Sequence, residues 1–527
     1  MNELPRQKLR ELVARHGRGL AEDARRCEGL LRDYCGGYRR EVSALVSALE
    51  EHAAKELLDA PAGTPREVLL ARLARRLCDH LALSEHAAVW AVDSWALALG
   101  VVSDDEHQAI ERRRAQQTET TTAANEATAI PLPPPIAAHV AAAATTTEPT
   151  NKPPPVPSAA AARSLIISIK GGGDYASIGD ALKNVPAGAR LLIRPGLYQE
   201  GFVIDREVEL VGDGPAEDVI IRSTDASCIL MRAERATVSG LTLRGCAAGG
   251  GNAGFFAVDV QRGKLMLDDC DITSDTLSCV AVHGPETDPT IRRCRIHDGA
   301  DSGVYFFDGA AGKVEACEVY GNANVGIAIT SRANPSVRHS KVYDGKNAGV
   351  VVWQEGLGLI EECAIYGNRL AGVGSSEGGH PTLRACRIFD GDNSGVFVHR
   401  GGECTVEGCD ISGHREAEVA VTTRGNLSLR GGKIHHGRNA GVFVREDGRA
   451  LLQECSIKDN AESGVVVGAG ALAAVRRCHV NGNGQVAIRV AEGGAASVED
   501  TDLSGNLLGP WDVADGAFVE SERNRER

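Results

Sequence analysis

The chain has 527 residues, with 71 acidic against 57 basic side chains and a formal net charge of −14 at pH 7. This balance argues against a nucleic-acid partner, because nucleic-acid-binding domains present basic surfaces. No stretch approaches the roughly 18–20 apolar residues of a membrane span, and residues 1–6 lead into a charged run without the apolar core of a secretory signal. We therefore expect a cytoplasmic protein that contacts neither nucleic acid nor membrane.

Residues 1–112 show the apolar spacing of amphipathic helices. The pattern predicts about five helices packed around Trp90 and Trp95, which makes a separate small all-α domain. Segments 25–33 and 91–100 resemble an uncharacterised helical module that opens many bacterial multidomain proteins. This resemblance implies an adaptor or assembly role, in which the helical domain would meet a protein partner.

Residues 113–162 consist largely of Ala, Thr and Pro, with nine prolines and no aromatic residue between Thr118 and Ala162. Such a composition cannot bury enough apolar surface to offset the entropy of ordering the chain. Clustered prolines also keep the chain extended. The segment is therefore predicted to be a disordered linker.

The sequence from Leu267 to Leu503 repeats every 23 residues. A cysteine or another small residue holds one position of each unit, and aliphatic residues lie three positions before and two positions after it, as Val337 and Val342 do around Ser340. Alternation with a period of two in so short a unit predicts strands, and a short fixed repeat predicts stacked coils. The fold class is therefore mainly β, a parallel β-helix with 23-residue coils.

Three motifs precede the repeats: residues 173–182 predict a short amphipathic helix, and residues 191–200 and 208–214 follow it as strand-rich segments. This series resembles the opening of pectin-lyase-like right-handed β-helices, in which a helix caps the first coil. The resemblance implies a right-handed parallel β-helix over residues 163–510, followed by a charged tail over 511–527. The repeats are also similar to the carbohydrate-binding and sugar-hydrolase class of β-helix repeats.

One column of the repeat is rich in cysteine. Its members are Cys270, Cys294, Cys317, Cys363, Cys386, Cys409, Cys455 and Cys478. Free cysteine is among the most frequently buried residue types, so the column predicts a line of small buried thiols and not a set of disulfides. No CxxC pair or histidine ligand set accompanies it, and we expect neither a metal nor a cofactor.

Two residues before that column lies an outward position whose charge changes sign from coil to coil. It is occupied by Asp268, Arg292, Glu315, Arg338, Glu361, Arg384, Glu407, Arg430, Gln453, Arg476 and Glu499. Like charges in the same position of stacked strands would repel, and alternation turns each neighbour into a favourable pair. The column predicts a device that fixes the stacking, with a structural repeat of two coils.

Aromatic residues occupy outward positions on the strand after the glycine of each unit. The candidate ligand-binding residues are Tyr305, Phe307, Trp353, Phe397, His399 and Phe443. Small residues such as Ala328 and Gly374 lie between them and predict open space for a ligand. An exposed apolar stripe on a charged solenoid marks a contact surface. The ligand could be a sugar chain, a peptide or part of this chain, and the stripe could also be covered in a homo-oligomer. A second aromatic column, from His297 to His435, is interpreted as a stacked corner.

Three aspartates, Asp298, Asp344 and Asp390, recur in turns every 46 residues and are the candidate catalytic residues. Their spacing does not gather them into the close pair that carboxylate catalysis needs, and Asp-Gly turns are usually structural. The sequence also lacks the Gly-His-Gly and Asp-Pro-His-Asp motifs of the enzymes that share the fold.

The sequence therefore favours a non-enzymatic protein that presents a long β-helix face to a carbohydrate or protein ligand, with the helical domain as adaptor. Two alternatives remain at this point. One is a polysaccharide lyase, hydrolase or epimerase. The other is a self-assembling structural rod.

Overall fold

The computed structural model describes residues 3–22, 24–35, 38–51, 53–59, 69–70, 72–74, 77, 85–103, 106–107, 164–246 and 254–527. The chain divides into two compact units, Met1–Pro155 and Val156–Arg527. The linker predicted over residues 113–162 lies outside the described residues, and so it stays a prediction.

The first unit is helical, as the apolar spacing predicts. Its described α-helices span Glu3–His16, Ala24–Cys35, Arg39–Glu50, Ala53–Asp59 and Glu85–Ala98, with a 3₁₀ helix at Arg18–Glu22. Trp90 and Trp95 are buried in its core, and the indole of Trp95 donates a hydrogen bond of 2.9 Å to the carbonyl of Leu45. The guanidinium of Arg6 lies 5.3 Å from the ring centroid of Trp90. None of the described helices has the length and apolar character needed to cross a bilayer.

The second unit is a right-handed parallel β-helix in which the chain visits three sheets in turn. Sheet A contains Leu165–Ile167, Ala189–Ile193, Val208–Gly212, Arg235–Ser239, Lys264–Asp268, Thr290–Arg292, Ala311–Glu315, Asn334–Arg338, Leu357–Glu361, His380–Arg384, Glu403–Glu407, Asn426–Arg430, Arg449–Gln453, Leu472–Arg476, Ala495–Glu499 and Phe518–Glu522. Sheet B contains Gly196–Tyr198, Val219–Ser223, Thr242–Gly245, Asp271–Ser274, Arg295–His297, Glu318–Tyr320, Lys341–Tyr343, Ala364–Tyr366, Arg387–Phe389, Asp410–Ser412, Lys433–His435, Ser456–Lys458 and His479–Asn481. Sheet C contains Phe202–Ile204, Ile229–Met231, Val258–Val260, Val280–His283, Val304–Phe307, Ile327–Ile329, Val350–Val352, Val373–Ser375, Val396–Val398, Val419–Val421, Val442–Val444, Val465–Val467, Ile488–Val490 and Trp511–Val513.

Residues one repeat apart pair directly in all three sheets. Val337 faces Ile360 in sheet A, and Val342 faces Ile365 in sheet B. The side chains at these positions are fully or almost fully buried and form one continuous core along the solenoid. Because parallel strands lie about 4.8 Å apart, every side chain has its counterparts from the neighbouring coils directly above and below it. The predicted stacking of 23-residue coils is confirmed.

The cysteine column lies inside this core as free thiols, as predicted. Cys363, for example, is 2% exposed, and its thiol donates to the carbonyl oxygens of Val337 and Glu361 at 3.5 and 3.3 Å. Burial alone raises the pKa of the nearby Cys404 thiol to about 12. Cys404 lies outside the column, in the strand Glu403–Glu407. The column thiols are buried packing groups that donate to backbone carbonyls.

A column of glycines precedes the strands of sheet C because the next coil leaves no room for a side chain there. A Cβ atom added to Gly349 would lie 2.6 Å from the carbonyl oxygen of Gly372 and 2.7 Å from Ile365. The same collision recurs along the column. Glu418, Ala487 and Pro510 are its three departures after residue 303.

A helix at Ile178–Asn184 covers the first coil, as expected for an end that would otherwise expose core and strand edge. Ser177 is its N-cap, and the carboxylate of Glu200 accepts the amides of Ile178 and Gly179 at 2.8 and 2.9 Å. A negative charge at this end is also favoured by the helix dipole.

The expectation that residues 511–527 form a separate tail is wrong. Trp511–Val513 extends sheet C and Phe518–Glu522 extends sheet A, each in parallel pairing. The side chain of Asn524 accepts the amide of Thr501 at 2.9 Å across the coil boundary. The repeat is hard to see in the sequence here because polar and charged residues replace its apolar positions although the backbone pairing continues.

We predict that Gly349→Ala destabilises the β-helix by about 1–3 kcal/mol, because the added methyl collides with backbone of the next coil. Gly374→Ala is the matched control: its Cβ would meet Val351 at 3.6 Å, an ordinary contact. Thermal unfolding followed by circular dichroism should show a lower midpoint for the first variant alone. Equal midpoints would refute the steric explanation of the glycine column.

Candidate ligand-binding face

The outer face of sheet A uses its charges in pairs between neighbouring coils. Arg384 contacts Glu407 at 3.0 Å and Glu361 at 3.4 Å, and Arg338 contacts Glu361 at 3.3 Å. The sign alternation predicted from sequence is thus a ladder of ion pairs. These groups are partly exposed, so each pair contributes at most about 0.2–1 kcal/mol. Because the charges from Arg338 to Glu407 already have partners from neighbouring coils, this part of the ladder offers little to a ligand.

The outer face of sheet B carries the second aromatic column. His297, Tyr320, Tyr343, Tyr366 and Phe389 stack in series with centroid separations of 4.7–5.0 Å and interplanar angles of 0–15°. They occupy the last residue of each strand and not the turn. Their faces cover one another, so a ligand would meet ring edges and hydroxyls. At the end of the stack, the pKa of His297 is raised mainly by the hydrogen bond that its ring donates to the carboxylate of Asp271.

The three candidate catalytic aspartates follow this stack in the turns. Asp298, Asp344 and Asp390 have φ of 50°, 51° and 53°. Each carboxylate lies against a glycine of the next coil, Gly321 in the case of Asp298, where an added Cβ would lie 2.6 Å from Oδ1. The three are two coils apart, about 10 Å. The structure does not bring them together, and glycine holds the position between them.

The six candidate ligand-binding residues share the outer face of sheet C. They form clusters two coils apart, all with half-buried side chains. The first contains Tyr305 and Phe307, with centroids 4.6 Å apart, and Trp353 lies 6.4 Å from Tyr305 at an angle of 8°. Phe397 and His399 stack at 4.6 Å in the next cluster. Phe443 forms the last cluster, and the guanidinium of Arg445 lies 5.6 Å from the centroid of its ring.

At two of the small residues between these rings, Ala328 and Ala420, little surface is open. Ala328 is 2% exposed and Ala420 is 9% exposed. The cause is the lean of the rings: two coils separate Tyr305 from Trp353, about 9.6 Å along the solenoid, but their centroids are only 6.4 Å apart. Ala328 lets these two large rings close over it. We call the outer face of sheet C that carries the six rings the aromatic platform.

Burial gives two members of this platform shifted acid–base properties. The pKa of Tyr305 is raised to about 12, mainly because its side chain is buried. Burial also lowers the pKa of His399 to about 4, and the neighbouring Arg400 charge adds to this. At neutral pH both side chains are uncharged, so they offer ring surface and neutral hydrogen-bonding groups.

A chain of polar side chains adjoins the first aromatic cluster, and sequence reasoning missed it. Arg232 donates to Gln261 at 3.0 Å, Gln261 donates to Asp259 at 2.9 Å, and Asp259 meets His283 at 2.9 Å. The ring of His283 stacks on Phe307 with centroids 4.7 Å apart. The four polar residues come from three coils, which hid the cluster in the sequence. Asp259 pairs with Ala281 of the next coil, so its contact with His283 joins two different columns and gives no signal in the repeat.

Amide side chains border the platform where the strands of sheet C begin. Asn324 donates to Asp301 at 2.9 Å, and Asn347 donates to Asn324 at 3.1 Å. These residues are half-buried, so part of each amide still faces solvent. Aromatic surface beside fixed amide and carboxylate groups is typical of ligand sites. Among the described residues, no group of three or more His, Cys, Asp or Glu side chains is placed to hold a metal ion.

Solved structures with similar folds include three polysaccharide-modifying enzymes. The A-module of the mannuronan C-5 epimerase AlgE6 from Azotobacter vinelandii is 15% identical, with 66% of this chain and 93% of that chain covered and a TM-score of 0.39. The periplasmic alginate epimerase AlgG is 14% identical, with coverages of 67% and 83% and a TM-score of 0.37. The pectate lyase Pel9A is 12% identical, with coverages of 50% and 75% and a TM-score of 0.33. Similarity of this extent leaves the function to be argued from this chain's own residues.

A family model described as a right handed beta helix region matches residues 227–382 and 371–524. Together these segments cover more than half of the 527-residue chain. They contain the cysteine column, the charge ladder and the aromatic platform. The chain belongs to the right-handed beta-helix family.

Proposed function

We propose that the outer face of sheet C binds an extended carbohydrate chain and that the protein is a recognition module without turnover. The observation that carries this proposal is the row of half-buried aromatic clusters two coils apart, from Tyr305 to Phe443. An exposed apolar stripe on an otherwise charged solenoid marks a contact surface.

The polar surroundings favour a sugar over a peptide as the ligand. Sugar rings place C–H groups on aromatic faces and direct hydroxyls to the sides, where they need fixed donors and acceptors. The amide row ending at Asn347 and the polar chain ending at His283 lie beside the rings and are held by hydrogen bonds. Because these groups are already ordered, binding them loses little side-chain entropy. The two-coil step of about 9.6 Å also suits a polymer that repeats every two units.

The contact between His283 and Asp259 supports a second candidate function, a polysaccharide-active enzyme. A histidine held at 2.9 Å by a carboxylate that is only 9% exposed is the arrangement used in general acid–base catalysis. The two functions differ in one measurement. Recognition alone leaves an oligosaccharide chemically unchanged, whereas an enzyme releases product at a rate that falls at least about a hundredfold in His283→Gln.

The helical unit carries the adaptor part of the proposal. Its described residues form a compact core around Trp95. A folded unit of this kind, joined to a recognition face on the same chain, would bring a protein partner to the bound carbohydrate.

We predict that Trp353→Ala and Phe397→Ala each weaken binding to the best oligosaccharide found on a glycan array by about tenfold. The reason is that each removes one stacking surface, about 1–1.5 kcal/mol. Isothermal titration of the full chain measures the change. Tyr343→Ala is the matched control, since this ring belongs to the stack on sheet B. Equal losses in all three variants, or none, would remove sheet C as the binding face.

Affinity should also rise with ligand length. The clusters extend over six coil steps from Tyr305 to Phe443, about 29 Å. Oligosaccharides of increasing length should therefore bind more tightly until they reach that span and gain little beyond it. Titration of a size-fractionated series measures this. An affinity that reaches its plateau at a disaccharide would contradict a row of clusters acting together.

The low pKa of His399 gives a further expectation. Its ring should titrate near pH 4 in the folded protein, against about 6.5 in the unfolded chain. The unfolded chain then takes up the proton first, so the contribution of His399 to stability falls as the pH drops from about 6.5 towards 4. Histidine NMR signals, assigned by comparison with His399→Phe, measure the midpoint. A midpoint near 6.5 would mean that the ring is open to water.

A further inference from the structure

Asparagine side chains join successive coils in the turn between sheets B and C. Asn368 is typical: its Oδ1 accepts the amide of Gly345 at 3.0 Å, and its Nδ2 donates to the carbonyl of Val342 at 3.2 Å. Asn322 and Asn460 make the same two bonds in their own coils. Each of these asparagines therefore holds its coil to the one before it.

In one coil, titratable residues occupy both the asparagine position and the glycine position of this turn. His414 takes the asparagine position, and Glu418 takes the position of the glycine column that Gly372 holds two coils earlier. The side chains of His414 and Glu418 are 1% and 0% exposed. His414 Nδ1 contacts Glu418 Oε2, and Glu418 Oε1 accepts the amide of His414 at 2.8 Å.

The two hydrogen bonds between His414 and Glu418 lie inside a single coil. Within the described residues, the His414 side chain makes no hydrogen bond to the preceding coil, where Gly391 occupies the position that Gly345 has beside Asn368. The joint between these two coils therefore lacks the asparagine bonds and depends on backbone pairing and on the charge state of the pair.

The charge state matters because the site is closed to water. With one proton between the imidazole and the carboxylate, the pair is neutral overall, whichever side chain holds it. A second proton leaves a buried net positive charge, and loss of the only proton leaves a buried net negative charge. Either charge is costly without a partner.

The titratable and charged groups around the pair lie at the surface of its own coil and of the two adjoining coils. They are Asp390 and Asp392 in the coil before, Arg415 and Glu416 in the same coil, and His436 and Arg438 in the coil after. Arg415 is already paired with Asp392 at 3.4 Å. All six are exposed, so solvent screens them and they compensate a buried charge weakly.

We propose that the His414–Glu418 pair is a pH-sensitive joint in the solenoid, at which the coil opens when the pair gains a second proton or loses its single one. Glu418 directly precedes Val419–Val421 of sheet C, and Ala420 lies between the clusters of Phe397 and Phe443. If this face binds a ligand, a step that rests on the proposed function, the joint lies directly behind it and would loosen binding at the same pH.

Hydrogen exchange of the full-length chain, without ligand, tests the joint across about pH 5 to 9. Residues 365–376 are the internal control for residues 411–422, since they hold the equivalent Asn368 and Gly372. After correction for intrinsic rates, protection of 411–422 should fall relative to 365–376 on at least one side of a maximum. One linked proton gives about a tenfold change per pH unit.

The double variant His414→Asn with Glu418→Gly restores the residues that the other coils use. It should remove the difference in pH dependence between the two segments and leave 365–376 unchanged. Parallel pH profiles of the two segments in the native chain would overturn the proposal, even if the double variant failed to fold. A difference that persists in a folded double variant would overturn it as well. Neither result depends on whether sheet C binds a carbohydrate.

Discussion

The constraint on which this structure depends is the direct pairing of each residue with its counterpart 23 positions away, as between Val350 and Val373. At a spacing of about 4.8 Å, each side chain packs against its own copies above and below. Whether a side chain fits at a given position therefore depends on the side chains at the same position in the neighbouring coils. Small apolar residues can repeat without limit, which explains the buried valines, isoleucines and thiols. Like charges and large side chains cannot occupy the same position in adjacent coils. On the surface they therefore alternate with opposite charges or with small residues.

The two-coil period follows from this constraint in several columns. In sheet A, Arg384 lies between Glu361 and Glu407, so each charge meets the opposite sign. In the turn after sheet B, the carboxylate of Asp298 occupies the space that a side chain at Gly321 would need. In sheet C, rings alternate with residues such as Ala328 because a leaning ring covers the adjacent coil. In each of these columns a side chain prevents a similar one in the adjacent coil. Charges, turn aspartates and rings therefore all repeat every two coils.

Features within one column were predictable from the sequence, whereas contacts between columns were not. The burial of Val337 and the alternation at Arg384 follow from position in the repeat alone. The lean of Tyr305 towards Trp353 depends on side-chain conformation, and the chain from Arg232 to His283 crosses columns and coils. The pairing of His414 with Glu418 also joins two columns, each of which looks like a single irregular substitution in the sequence. Diagonal contacts of this kind leave no periodic signal.

The short turns favour recognition over catalysis as the use of this surface. In the regular coils, two residues join sheets A and B and about six join sheets B and C, as in the coil from Asn334 to Val352. Turns of this length raise no wall above the sheets in these coils, and the six rings of the platform are all partly exposed among the described residues. Enzymes gain from closing a site against water because charges act more strongly there, whereas stacking of sugar on rings works on an open face. The pair of His414 and Glu418 is the opposite case: its site is closed to water, and we propose that its proton count therefore affects the stability of the coil.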